Sequence, residues 1–496
     1  MSLSQTAYRA TVCALWALGV WNAWECLGLY SDGSLFMIQS VRRMSFWVFD
    51  PARDYIYGLT QIPLVIALHL GVTDLHWLAR VYSIGLIVVP TSLYHLALIR
   101  AKSDTILLAV TIAVVAMVFM TTSFFIEGEY NAAFAIGILI AIWLATADKL
   151  RMADGVVLVL VATFALRMYE IFLYLGPLLA GMTAWTAHRG WLQSGGQGNR
   201  LVLPMAIIAL AAIFLAWWDT YAILFCLPPL VVAGIFWGRH RPESRTSLTA
   251  GLYLLAAALL LAGSVIAADS LVRRLSFLVD TVWSARGSWH NAQLILLLSA
   301  ASVVVIWGLV RPNDLRRRRP YALACCILAL LALSPLLAQQ IPWLRPDPSA
   351  HYEARNAAGL VTAAAVAFIA VRMFRDGAWF AGLTILKNPP VARNLLAFSS
   401  LMLLAVLPSS ISMTTHWISF LEAMRTTVRT HQGVVPVADT ALSRPPHVFF
   451  ADPEFLISLS LALRATHGDG ILVAPDFHTA LMPTELPDLG PFFWRD

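Results

Sequence analysis

Apolar residues run along the chain in long blocks separated by short polar breaks, instead of alternating with polar residues at the period of a strand or of a surface helix. A helix that crosses a bilayer needs about 20 consecutive apolar residues. On that criterion the blocks predict about thirteen spans, near 10–30, 79–99, 105–123, 131–147, 155–168, 171–187, 201–217, 220–237, 248–268, 291–310, 321–340, 357–374 and 394–413. The fold class is therefore all-α and polytopic, with a transmembrane domain over 1–413 and a small extracytoplasmic α/β region over 414–496. The segments 155–168 and 171–187 are short, which leaves two crossings or a partly re-entrant passage as alternatives there.

Composition narrows the class. The 496 residues are 59% hydrophobic and 12% charged, against about 25% charged in soluble domains. That excludes a soluble globular enzyme, and it excludes a disordered chain, which would have to stay solvated. Five cysteines, all in or beside apolar runs, are too few for a disulfide-stapled secreted domain and read as small core hydrophobes. The net charge of +6 is scattered in short clusters and does not line one face, so no nucleic-acid partner is expected. The first apolar run is long enough to span and follows one arginine and no lysine, so it reads as a retained helix and not as a cleaved leader.

Sorting the charges by side gives an orientation. With a cytoplasmic N-terminus the inner loops are 100–104, 148–154, 188–200, 238–245, 311–320 and 372–394, which hold the run Arg316 to Arg319 and all three lysines, Lys102, Lys149 and Lys387. Basic residues collect on the cytoplasmic side of membrane proteins. The expected location is a bacterial-type inner membrane of the cell envelope with the C-terminus outside. The outer segments carry acids, histidines, tyrosines and tryptophans instead. In the first of them, 31–78, the stretches 34–49 and 55–69 are amphipathic or apolar and predict two helices lying on the outer membrane surface, the rival being a transmembrane hairpin at 55–73, which would reverse all later loops and spoil the lysine pattern. In the proline-rich tail, 434–437 and 470–474 read as short strands and 453–467 as a helix.

Four constellations on the outer side could carry chemistry. Asp32 follows Tyr30 and Ser31 directly after the first span, with Glu25 about two turns earlier. An acid there suits a general base toward a hydroxyl, and an N-cap of the next helix is the plainer alternative. Glu127, Glu129 and Tyr130 occupy one tight turn, where paired carboxylates could split their pKa values or hold a divalent cation, or simply be polar turn residues. Arg167, Tyr169 and Glu170 interrupt an otherwise continuous apolar stretch, either as an arginine facing a lipid-linked phosphate or as an Arg167 to Glu170 ion pair stapling the helix. His351, Tyr352 and Arg355 precede the twelfth span, with His351 and Arg355 on one helical face in a pairing suited to phosphate; Arg286 and His290 repeat the palette one loop earlier. The rival for these last residues is an interfacial aromatic belt. The sequence holds no phosphate-cradling P-loop, no CxxC, no HExxH and no GxSxG.

With a first span, an acid in a long outer loop, two surface helices, many further spans and a short outer tail, the chain resembles the GT-C superfamily of polytopic glycosyltransferases over most of residues 1–413. The resemblance implies transfer of a sugar from a polyprenyl-phosphate donor to a lipid, glycan or protein acceptor on the extracytoplasmic face, with inversion. It implies Asp32 as the catalytic acid of the first loop, with Glu129 as a further catalytic candidate. Glu127, Tyr130, Arg167, Tyr169, Glu170, Arg286, His290, His351, Tyr352 and Arg355 are then substrate-binding candidates, matched by kind. Asp32 is followed by Gly33 and not by a second acid, and the loop holds no DxD. A divalent cation, Mg2+ or Mn2+, therefore remains an option at Asp32, Glu127 and Glu129, and no soluble cofactor is expected. The rival functional classes are a transporter or flippase, and a polymerase or ligase, for a lipid-linked glycan.

Overall fold

The structure, a computed structural model, describes residues 2–49, 53–120, 129–147, 149–169, 171–193, 242–273, 326–327, 351–373, 389–444, 447, 450–474 and 489–495. The predicted spans at 201–217, 220–237 and 291–310, and nearly all of that at 321–340, lie outside these residues. The described residues are mostly helical: α1 (Leu3–Trp24), α2 (Asp32–Arg43), α3 (Asp54–His69), α4 (Leu75–Ala101), α5 (Thr105–Val114, continued by a π-helical turn over Val115–Met120), α6 (Glu129–Ala145), α7 (Met152–Ala165), α8 (Phe172–Gln193), α9 (Pro242–Arg273), α10 (His351–Met373), α11 (Pro389–Thr430) and α12 (Leu456–Leu463). Strands β1 (Val434–Pro436) and β2 (Ile471–Val473) pair in parallel, Val434 opposite Ile471. Three helical stretches are long and apolar enough to cross a membrane: Leu75–Ala101, Leu248–Ala267 and Pro389–Thr430.

Local chemistry sets the ends. Ser2 caps α1 by accepting from the Gln5 backbone N–H, Asp74 caps α4 through His76, and Asp104 caps α5 through Ile106 and Leu107. The first helix starts earlier than the apolar run and ends at Trp24, because Cys26 takes a left-handed conformation (φ 54°) and Leu27–Leu29 tighten into a 3-10 turn. Glu25 thus stands at the C-cap of this helix, not within it.

The helices run in alternating directions. Gly155 of α7 lies against Leu252 and Tyr253 of α9, and Gly263 of α9 lies against the Ala165 carbonyl, so these two helices are parallel. On α8, Gly176 approaches Ser264 and the Leu260 carbonyl, while Gly190 approaches Leu150, just before α7. Helix α8 therefore returns along the length of α7, and the stretch 155–187 is an antiparallel helical hairpin. At one end of the bundle Arg100 pairs with Asp154 at 3.4 Å and lies 3.8 Å from the Trp143 ring centroid, and Arg372 Nη1 donates to Asp104 Oδ1 at 2.8 Å. The C-termini of α4, α6 and α10 and the N-termini of α5 and α7 meet there. The relative directions of these helices match the alternation read from the sequence.

Asp104 yields a pH prediction. Burial disfavours its charge, but the hydrogen bonds from Arg372, Leu107 and Ile106, with the Arg372 charge, outweigh burial and hold the carboxyl below its ordinary range. A carboxyl whose folded pKa is depressed contributes stability that is present above its unfolded pKa and lost as pH falls through the folded value. The thermal midpoint is expected to drop as pH falls below about 4, and Asp104→Asn is expected to lower the midpoint at pH 7 and flatten this acid limb. An unchanged limb in the variant would assign it to other carboxyls.

At the opposite end the two helices of the first loop are not laid flat on a lipid surface. Every residue of α2 from Gly33 to Val41 is buried, whereas an interfacial helix keeps a polar face in water. The cover is the C-terminal tail. Ser34 Oγ and Ser458 Oγ of α12 share a hydrogen bond at 2.7 Å, and Ser31 Oγ donates to Asp452 Oδ2 at 3.0 Å. Helix α3 runs antiparallel to the first half of α4, so closely that a Cβ on Gly85 would stand 1.9 Å from the Thr60 carbonyl oxygen. Only a glycine permits that approach.

The tail reaches this position on α11, which continues beyond the bundle. Ser410 Oγ donates to the Met120 carbonyl, Thr414 Oγ1 to Asn22 Oδ1 and Trp417 Nε1 to the Glu25 carbonyl, marking where α11 passes the ends of α5 and α1. From Trp417 to Thr430 it rises about 20 Å more. The chain then folds back through β1, α12 and β2, and residues 493–495 pair with 73–75: the Leu75 N–H donates to the Phe493 carbonyl at 2.9 Å, and the Arg495 N–H to Asp74 Oδ1 at 3.1 Å. The tail is thus not a separate appendage.

Candidate functional site

Three elements bring the described candidates together at the tail-covered end of the bundle. Asp32 is the first residue of α2, half-buried and within the first turn, where an anion is favoured by the helix dipole. The N-cap alternative does not hold for Ser31: it stands at that position with φ 51° and ψ −130°, without a side-chain cap bond, and gives its hydroxyl to Asp452. A non-glycine residue at positive φ is strained, and here the hydrogen bond to the tail keeps it in place. Two residues beyond Asp452, burial and the Asp452 carboxylate push the Glu454 carboxyl up from its ordinary range.

Helix α3 brings in two residues the sequence reading passed over. Arg53 Nη1 donates to the Tyr130 hydroxyl at 3.0 Å, and the Arg53 guanidinium carbon lies 5.4 Å and 5.3 Å from the ring centroids of Tyr130 and Tyr169. Those two rings meet edge to face at 4.3 Å. Arg167, in the connection between α7 and α8, donates from Nη1 to Asp54 Oδ2 at 3.2 Å, while its carbonyl accepts the Tyr55 N–H at 3.3 Å. Asp54 is 7% exposed. Arg167 is therefore paired across elements with Asp54. Burying a guanidinium is costly unless it is paired and hydrogen-bonded, and the carboxylate, the two phenol rings and the turn between helices are what hold two arginines here.

The Asp32 turn and the arginine cluster are linked. Phe36, one turn after Asp32, packs against Tyr57, one turn after Arg53, with centroids 4.7 Å apart. Helix α6 starts at Glu129 and α10 at His351. Gly359 of α10 lies against Tyr174, Ile171 and Phe134, which places the start of α10 at this end as well. The backbone of Glu129, His351, Tyr352 and Arg355 is thus helical and at this end, and Glu127, Glu170, Arg286 and His290 lie outside the described residues. Of the predicted set, the structure joins Tyr130, Arg167 and Tyr169 through Arg53 and Asp54, and Asp32 lies one turn before Phe36, whose ring meets Tyr57 of α3. Among the described residues no group of three or more His, Cys, Asp or Glu side chains could hold a metal ion.

The signal for Arg53 and Asp54 was available: two opposite charges directly before the apolar run of α3 are a helix-start pattern. The signal for Asp452, Ser458 and Trp417 was not, since nothing local marks a tail residue as the partner of one 421 positions earlier. Comparison with protein-family models, curated proteins and solved structures gives no match. The architecture itself defines a mostly helical protein with helices able to cross a membrane, and a polar, cation-bearing cluster at one end of its bundle.

Proposed function

We propose that the chain is an integral membrane glycosyltransferase that moves a sugar from a polyprenyl-phosphate donor to a hydroxyl acceptor at the extracytoplasmic face, with inversion. The observation that carries this reading is the seating of Arg53 and Arg167 beside Tyr130 and Tyr169, next to the helix that begins at Asp32. Asp32 takes the proton of the acceptor hydroxyl. The acceptor oxygen bonds to the anomeric carbon as the bond from that carbon to the phosphate oxygen breaks, and the electron pair leaves on the phosphate. The Arg53 and Arg167 guanidiniums supply forked donors of a kind suited to that departing anion. Tyrosine rings supply apolar faces for the sugar or prenyl chain. Arg355 and His351 are proposed as further phosphate ligands, and Mg2+ or Mn2+ at Asp32, Glu127 and Glu129 remains the metal-assisted form of the same reaction.

The test is consumption of a panel of radiolabelled polyprenyl-phosphate sugars by the purified full chain in nanodiscs. Release of free polyprenyl phosphate from at least one donor is expected. Failure to bind or consume any of them removes this reading and favours transport of a lipid-linked glycan.

A further inference from the structure

The segment that leaves α2 is built unlike a connector in water. Arg42 and Arg43 end the helix, both exposed, and the residues that follow turn large apolar groups outward: Met44, Phe46, Val48 and Phe49 are 40%, 42%, 36% and 51% exposed. Between them Trp47 points inward and packs on Phe36 at 4.7 Å between centroids. Its backbone is held at both polar atoms by one buried side chain, since the Trp47 N–H donates to Gln61 Oε1 at 2.8 Å and Gln61 Nε2 donates to the Trp47 carbonyl at 2.7 Å. Ser40 Oγ donates to the same Gln61 oxygen at 3.1 Å. The outward apolar set is therefore fixed in place by hydrogen bonds and not the face of a loose strand of chain.

Its level in the bundle says what surrounds it. Gln61 follows Thr60, whose carbonyl meets Gly85 of α4. Gly85 is about 22 Å of helical rise from Arg100, at the end where the Arg100–Asp154 pair lies. A hydrocarbon core about 30 Å thick measured from that end includes the level of Gly85. Ile62 and Ile66 on the same stretch of α3 are also turned outward. The simplest account of the two arginines alone is that cations complement the C-terminal dipole of α2. That account leaves the four apolar groups in water, where a contiguous exposed set is unusual.

We infer that Arg42 to Phe49 is a lipid-binding wedge: Met44, Phe46, Val48 and Phe49 enter the acyl region, and Arg42 and Arg43 bind the phosphates of anionic phospholipids in the adjoining leaflet. Arginine suits the phosphate oxygens by its forked donors, and its long stem lets the charge rise to the headgroups from an apolar level. The inference depends on the chain lying in a bilayer and not on the transfer reaction.

The experiment uses the full chain with its five cysteines replaced by serine and Phe49→Cys labelled with an environment-sensitive fluorophore. The protein is reconstituted in phosphatidylcholine vesicles containing phosphatidylglycerol, and quenching by spin-labelled phosphatidylglycerol is compared with quenching by spin-labelled phosphatidylcholine at equal mole fraction. Both are expected to quench, the anionic lipid about threefold more, as two basic residues beside an anionic leaflet require. Arg42→Gln with Arg43→Gln, a milder change than charge reversal, is expected to bring the ratio to one while quenching persists. Absence of quenching by either lipid, with water-like emission, overturns the insertion. Equal quenching in the unsubstituted background overturns the anionic preference, as does a ratio that departs from one only when polyprenyl phosphate is added.

Discussion

Asp32→Asn is expected to cut turnover of the polyprenyl-phosphate sugar by about 10²–10⁴-fold, the range that a positioned general base contributes. The substitution keeps the shape of the side chain and removes its charge and basicity. It leaves the Ser31 to Asp452 and Ser34 to Ser458 hydrogen bonds in place, because neither involves the Asp32 side chain. The structural cost includes the favourable placing of an anion in the first turn of α2, about 0.3–1 kcal/mol, so turnover is compared at equal folded fraction. Loss of turnover with an unchanged thermal midpoint and unchanged donor binding would thus belong to the chemical step. Turnover within twofold of the parent would remove Asp32 from the mechanism, whatever the donor.

The second large effect is on stability. Asp54→Ala is expected to destabilise the bundle by about 3 kcal/mol, at the lower end of what removing one partner of a buried ion pair costs. The lower end applies because the Arg167 side chain keeps 23% of its accessible surface while that of Asp54 keeps 5%. Arg167 would lose its bond to this carboxylate. Arg167→Met in the same chain removes the charge that Asp54 offsets and should recover about half of the loss, since apolar groups often replace buried pairs at little cost. Folded fraction across a denaturing detergent titration of the four variants gives the coupling as a double-mutant cycle. Additive effects would show that the pair is not an energetic unit. The double variant should also bind donor more weakly than the parent, which separates the role of Arg167 in the site from its role in the fold.

The parts of this architecture that were legible in the sequence are those written in local hydropathy. The apolar blocks at 79–99, 155–168, 171–187 and 357–374 each correspond to a helix, α4, α7, α8 and α10, and the two strands and the helix of the tail fall within the stretches marked for them. Burial of α2 was not legible, because an amphipathic stretch looks the same whether its polar side meets water or a serine-bearing helix. Of the polar positions in that stretch, Ser34 bonds Ser458 and Ser40 bonds Gln61. Arg167 was legible as exceptional, since an unexplained charge in an apolar run stands out. The partner the structure shows, Asp54, comes from a distant element of the chain, and Glu170, the along-helix alternative, lies outside the described residues.

The pairing of α2 with α12 sets an order of events during synthesis. Ser34 and Ser458 are 424 positions apart, and at about 5–20 residues per second the ribosome needs roughly 20 to 85 s to make what lies between them. For that whole interval α2 and Asp32 lack the residues that cover them. The Asp32 turn therefore gains its cover only after the tail is made, and a nascent chain released before Asp452 carries α2 without the residues that hold Ser31 and Ser34.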